Sequence, residues 1–175
     1  VGLDAALDGL RGWRPAAAWA LLALWTVAAF GTLVRYHPYE SIQFNGLVGG
    51  LPGAYGRYDT DYWGSSYKEA VALLVERMEP AHRREPHRRW WVHAIGGHVS
   101  TEYFLPPWLR YTRDEDRADF FLSFTRWRSN EEVEGRLIGV VERFGVPLNY
   151  VKDLRPPADA EPGGTNGPAR IRTWN

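Results

Sequence analysis

Two carboxylates stand two residues apart in the run GRYDTDYWGSSY, at Asp59 and Asp61. On an extended chain, residues i and i+2 face the same side. Such a pair could share a proton, hold a cation, or divide the work of acid and base. The competing reading is structural. Both carboxylates would then accept hydrogen bonds from loop backbone and from Arg57 or tyrosine donors beside a helix start, where negative charge also suits the helix dipole. Tyr62 and Trp63 follow the second carboxylate directly, and Tyr67 closes the run. Ser65 and Ser66 lack the G-x-S-x-G setting of a nucleophile elbow. No triad is read, and no catalytic residue is assigned in this chain.

Other chemistry-bearing residues are weaker signals. Gly49, Gly50, Gly53 and Gly56 precede the acidic pair, but no G-K-[ST] ending follows and no strand leads straight into a helix. Tight turns or close backbone packing account for them. His82, His87, His93 and His98 are separated by five, six and five positions, which fits neither a helical i, i+4 pair nor a zinc pattern. No metal site and no cofactor are expected. The run HRREPHRRWW places Arg84, Arg88 and Arg89 beside Trp90 and Trp91. Arginine binds phosphate bidentately, so the run is a candidate contact for anionic lipid headgroups or a diphosphate. The alternative is a polar loop entering a strand.

The elements that must position these residues begin with residues 16–34, AAAWALLALWTVAAFGTLV. About nineteen uncharged positions approach the length a helix needs to cross a bilayer core. A secretory signal would have a shorter apolar region and a small-residue cleavage site, whereas this run passes into Arg35-Tyr36-His37-Pro38. The expectation is a transmembrane helix over 15–35, preceded by an N-terminal segment, 1–14. Arg11 and Arg14 ahead of the span slightly favour a cytoplasmic N-terminus, which puts the remainder outside. With 21 basic and 21 acidic residues the net charge is zero, so no global field favours nucleic acid. Absence of Cys excludes disulfides, a thiolate nucleophile and a Cys-ligated zinc. Nine Trp and nine Tyr suit a membrane–water interface or a Trp-rich soluble core.

Past the span, Pro38 stops the helix and the glycines from Gly46 to Gly56 forbid a long regular element. Ser66 with Glu69 three residues on is a capping-box pattern. Tyr67, Ala70, Val71, Leu74, Val75 and Met78 then mark one buried helical face, ended by Pro80. Residues 90–96 and the centre of 116–127 read as strands, and 135–154 as a hairpin turning near Phe144-Gly145. The expected class is α/β: one N-terminal transmembrane helix, then a small extracytoplasmic α/β domain over 36–155, a sheet with one packed amphipathic helix. A Pro- and Gly-rich flexible tail over 156–175 would follow.

Together, His37-Pro38-Tyr39, Phe44-Asn45, Val48-Gly49-Gly50, Gly53-Ala54 and above all Asp61-Tyr62-Trp63-Gly64 with Ser66-Tyr67 and Glu69-Ala70 carry a resemblance. This segment resembles the one after the last membrane helix of bacterial GT-C-type membrane glycosyltransferases, the dolichyl-phosphate-mannose protein mannosyltransferase-like, glycosyltransferase family 39-like group. ADFFLSFTRWR and GRLIGVVERFGVPLNYVKDL resemble the strands that close such proteins, so the likeness spans about residues 16–155. It implies a polyprenyl-phosphate sugar as donor and a catalytic acid in an early extracytoplasmic loop that has no counterpart here. The implied role is a non-catalytic cap that positions donor or acceptor, its groove shaped by Tyr39, Asn45, Asp59, Asp61, Tyr62, Trp63 and Tyr67. Expected partners are membrane lipid and other membrane protein chains, at the cytoplasmic (inner) membrane with the soluble domain on the periplasmic side. The chain is read as the C-terminal part of a longer enzyme, or as a single-pass accessory or scaffolding subunit of a larger membrane complex, photosynthetic or respiratory for example.

Overall fold

The computed structural model describes residues 2–156, and of residues 2–14 only the helical backbone. The expected tail lies, past Pro156, outside the described residues. The chain divides into two units, the first ending at Glu40 and the second starting at Ser41.

The first unit is a helix, α1 (Gly2–Tyr36), whose span Pro15–Tyr36 is 22 residues long and apolar enough to cross a membrane. Its large apolar side chains face outward, with Trp19 70%, Trp25 69% and Phe30 67% exposed. The hydroxyls of Thr26 and Thr32 donate to the carbonyls of Leu22 and Ala28 at 2.8 and 2.9 Å, so neither polar group is left open along the apolar stretch.

The second unit is α/β, with one five-stranded sheet. Its elements are α2 (Gly50–Ala54), α3 (Tyr67–Arg84), β1 (Trp90–Ala94), α4 (His98–Phe104), β2 (Leu109–Tyr111), β3 (Phe120–Phe124), β4 (Arg136–Arg143) and β5 (Val146–Asp153). Strand order is β2-β1-β3-β5-β4. Both neighbours of β1 run parallel to it, while β3, β5 and β4 pair antiparallel. The β4–β5 hairpin turns at Phe144-Gly145, both with positive φ (52° and 74°). That is the backbone twist a two-residue hairpin favours.

The α3 helix follows from its apolar spacing. Tyr67, Ala70, Val71, Leu74 and Met78 fall on one face and are buried. They pack with Trp90, Val92 and Ala94 of β1 and Phe120, Leu122 and Phe124 of β3 in one cluster. Each fully buried large side chain contributes about 1.5–3 kcal/mol of transfer free energy. β3 is buried at all five positions. It lies central in the sheet and is covered on both faces, which explains its near-continuous apolar run.

Three sequence expectations change. The helix does not stop at Pro80. The proline lies on the exposed side, and the helix runs on to Arg84, closed by Glu85 N–H donating to the Ala81 carbonyl. Ser66 makes no capping bond to α3. Glu69 does not reach back to it but pairs with Arg143 of β4 at 2.7 Å. Finally, α4 and β2 were not expected. Together they form the crossover that carries the chain from β1 to its parallel neighbour.

Candidate binding cleft

Asp59 and Asp61 part company in the structure. Asp61 is fully buried and accepts from the backbone N–H groups of Ser65 (2.8 Å) and Ser66 (3.1 Å). The Ser66 hydroxyl also donates to it, and accepts in turn from Asn149 Nδ2 at 3.1 Å. Asp61 therefore fastens Ser65 and Ser66, the two residues that lead into α3, and ties them through Ser66 to β5. Asp59 instead stands at a cleft, with its carboxylate 3.3 Å from Nε of Arg126. The two carboxylates share neither surroundings nor partners, so no acid–base pair forms.

The cleft encloses about 690 Å³, within the ~300–1,000 Å³ of small-molecule sites. One wall is the loop after α2, with Tyr55, Arg57, Tyr58, Asp59 and Thr60. Gly56 takes a left-handed φ of 77° there, and Tyr55 and Tyr58 on either side form an isolated parallel bridge. Phe44 stacks behind Tyr58, ring centroids 6.0 Å apart. The Tyr150 hydroxyl on β5 is pushed up to about 12, first by burial and then by its hydrogen bond with Tyr55.

The opposite wall is the irregular turn after β3, with Thr125, Trp127, Arg128, Asn130 and Glu131. Trp127 (φ 55°) and Arg128 (φ 59°) sit consecutively in the left-handed region. Non-glycine residues held there cost of order 1 kcal/mol or more each, and they gather where function or surrounding structure over-determines the backbone. Several bonds hold this turn. Ser129 Oγ donates to the Phe124 carbonyl at 2.9 Å. Lys152 Nζ donates to the carbonyls of Asn130 and Val133, the latter at 2.8 Å. Burial pushes the Lys152 ammonium down from its ordinary range, against the pull of Glu131 and Glu134.

Arg126 joins the walls. Its guanidinium carbon lies 3.8 Å from the Tyr62 ring centroid and 3.9 Å from that of Trp127, and the two threonine hydroxyls, Thr60 and Thr125, meet at 3.0 Å. Arg128 is held bidentately by Glu131 at 3.0 and 2.9 Å. Among the described residues Arg57, Arg126 and Arg128 stand at the cleft with Asp59 and Glu131, and ion pairs join Arg126 to Asp59 and Arg128 to Glu131.

Of the residues read from sequence as shaping a groove, Asp59 alone lines this cleft. Tyr62 supports it through Arg126, and Trp63, 77% exposed, meets Tyr62 edge-on outside it. Tyr67 is buried, its hydroxyl donating to the Ile95 carbonyl, and it belongs to the core. Asn45 caps its own short turn, accepting from Leu47 and Val48 N–H at 3.0 and 3.2 Å. Tyr39 lies in the first unit.

The Arg-Trp run also divides. Trp90 is 1% exposed and part of the core, because strand alternation points it inward beneath α3, so it cannot meet a headgroup. Trp91 points to the opposite face, under the Arg117 guanidinium at 3.6 Å. Arg88 pairs with Glu85 at 3.1 Å, Arg89 donates to the Pro107 carbonyl, and Arg84 is exposed at the end of α3.

Sequence reasoning missed Tyr55, Tyr58, Thr60, Thr125, Trp127, Asn130 and Glu131 as one set of lining residues. The available signal was the polar run TRWRSN directly after an apolar strand. Neither a family model, nor a curated protein, nor a solved structure matches this chain.

Proposed function

We propose that this chain is the terminal membrane helix and extracytoplasmic cap of a polyprenyl-phosphate-sugar-dependent membrane glycosyltransferase, positioning donor or acceptor without performing bond chemistry. The observation that carries the reading is the pairing of an outward-facing apolar helix with an α/β domain bearing a cleft of small-molecule size. The cleft's groups favour holding over reacting. Asp59 is engaged by Arg126, Glu131 by Arg128, and the two threonine hydroxyls by each other. None is poised as a free base beside a nucleophile. The resemblance of residues 16–155 to the closing segment of GT-C-type enzymes supplies the sugar-transfer context.

In this reading the helix sits in the cytoplasmic membrane and the domain faces the periplasm. Fractionation followed by protease treatment of intact spheroplasts tests both parts. The chain is expected in the membrane pellet, released by detergent and not by high salt, with the domain cut from outside. Recovery in the soluble fraction refutes the anchor, and protection of the domain refutes its placement.

A second reading is favoured by exposed apolar side chains on the second unit, Leu47 at 97% and Tyr103 at 82%. They suit an accessory subunit docked on other membrane chains. Purification in mild detergent separates the two. Fixed-ratio recovery with other membrane proteins supports the subunit, and lipid mass spectrometry finding a bound polyprenyl phosphate supports the cap.

A further inference from the structure

We propose that the cleft between residues 55–60 and 125–131 is a binding site for an uncharged glycosyl unit, an assignment that rests on reading the domain as a sugar-positioning cap. Three features of the cleft point to that ligand class.

The first is aromatic surface offered to solvent within it. Tyr55 is 42%, Tyr58 56% and Trp127 64% exposed, all three on its walls. Single exposed rings are common, but three gathered on one cleft form the kind of apolar patch that marks a binding groove. Trp127 is also held by left-handed backbone, a conformation that a non-glycine residue keeps only where its surroundings over-determine it. The apolar C–H face of a pyranose stacks on such rings through contact area and dispersion.

The second feature is the planar polar groups beside those rings. Asp59, Asn130, Arg57 and the Arg128–Glu131 pair present forked donors and acceptors. Adjacent sugar hydroxyls each donate and accept, and forked groups meet two of them at once.

The third feature is that most of the charges at the cleft are already paired with one another, which offers a phosphate little. Arg128 is committed to Glu131 and Arg126 to Asp59. Among the described residues only the exposed Arg57 lines the cleft without an ion pair, so a phosphate entering would find one solvated cation and would have to compete with Asp59 and Glu131 for the other two. Desolvating an anion against like charge is unfavourable. An uncharged ligand meets no such penalty. The phosphate of a polyprenyl-linked sugar would therefore stay outside, and the glycosyl ring alone would enter.

The test uses the full chain in a polyoxyethylene detergent, so that no sugar headgroup competes. Tryptophan fluorescence and saturation-transfer NMR follow titration with methyl α-glucoside, methyl α-mannoside, methyl β-galactoside and maltose. Inorganic phosphate and uridine serve as the charged and nucleobase arms. The expected result is saturable binding of at least one neutral glycoside, with an affinity that does not change from low to high salt. Trp127→Ala should weaken it about tenfold or more, and Trp127→Phe should retain most of it. Tyr103→Ala, on α4 and outside the cleft, should leave it unchanged. Far-UV circular dichroism checks that each variant is folded.

Absence of saturable binding by every glycoside overturns the proposal. So does binding that survives Trp127→Ala, and so does preferential binding of phosphate or uridine. A chain that pellets with membranes and carries polyprenyl lipid but binds no glycoside leaves the cap reading standing and removes this site. A soluble chain that binds glycosides through Trp127 removes the membrane cap and keeps the site.

Discussion

Replacing Asp61 separates a structural carboxylate from a functional one. Its side chain accepts three hydrogen bonds, from Ser65 N–H, Ser66 N–H and Ser66 Oγ, at a fully buried position below the start of α3. Asp61→Ala leaves those donors without an acceptor. An orphaned buried donor costs about 1–3 kcal/mol, and loss of negative charge at a helix start a further ~0.5 kcal/mol. The three donors belong to two adjacent residues, so their losses overlap, and Ser65 is only half-buried. A total of about 3–4 kcal/mol is expected, against a typical domain stability of ~5–15 kcal/mol. For a domain of this size that corresponds to a fall in Tm of about 10 °C or more. Asp61→Asn keeps one acceptor and should lose roughly half as much. Ser66→Ala removes a donor from Asp61 and an acceptor from Asn149, so the double variant should fall short of the summed losses by about 1 kcal/mol. Thermal unfolding of the full chain in detergent, followed by near-ultraviolet circular dichroism, reads all four. A variant Asp61→Asn with unchanged Tm and abolished glycoside binding would show that the carboxylate serves ligand and not fold.

Two further perturbations test the sheet and its pH dependence. A Cβ at Gly97 would stand 2.3 and 2.4 Å from the Tyr67 ring, which is fully buried and anchored to the Ile95 carbonyl. Gly97→Ala should therefore lower stability by about 2–4 kcal/mol, partly recovered in Gly97→Ala/Tyr67→Leu. Equal stability of Gly97→Ala and wild type in urea unfolding would refute the close approach. At Asp153, burial pushes the carboxyl up, but hydrogen bonds from Arg155 and Arg136 more than offset it and hold the group below its ordinary range. A carboxyl depressed in the folded state contributes stability that is full above the unfolded value, about 3.9, and is lost as pH falls through the lower folded value. The urea midpoint should drop as pH falls below about 4, and Asp153→Asn should flatten that drop while lowering the midpoint at neutral pH. A variant that follows the wild-type slope would refute the role.

The parts of the fold legible in the sequence are those where one periodicity dominates. The apolar spacing of α3, the aliphatic run of α1 and the β4–β5 hairpin each declare themselves within a short window, because their side chains answer to one face, to none, or to one turn. The edge strand β2 has three residues, too few for alternation to register. The short helix α4 carries Val99 and Thr101, poor helix formers, and starts at Gly97 without a side-chain cap. Both are set by their place in the crossover from β1.

The cleft was illegible for a related reason. Its walls meet across 65 positions of sequence, as the Thr60–Thr125 hydroxyl pair measures. Its most exposed ring, Trp127, stands on backbone that neither its own residue type nor that of Arg128 favours. Glycine or asparagine at 127 and 128 would announce a left-handed turn; tryptophan and arginine do not. What holds the turn there comes from elsewhere: the Lys152 ammonium of β5 on its carbonyls, and the Tyr62 ring against the guanidinium of the turn's own Arg126. A conformation disfavoured locally and sustained by long-range contacts is where local sequence rules should fail. That failure coincides with a place where an aromatic ring, forked polar groups and a volume of small-molecule size converge.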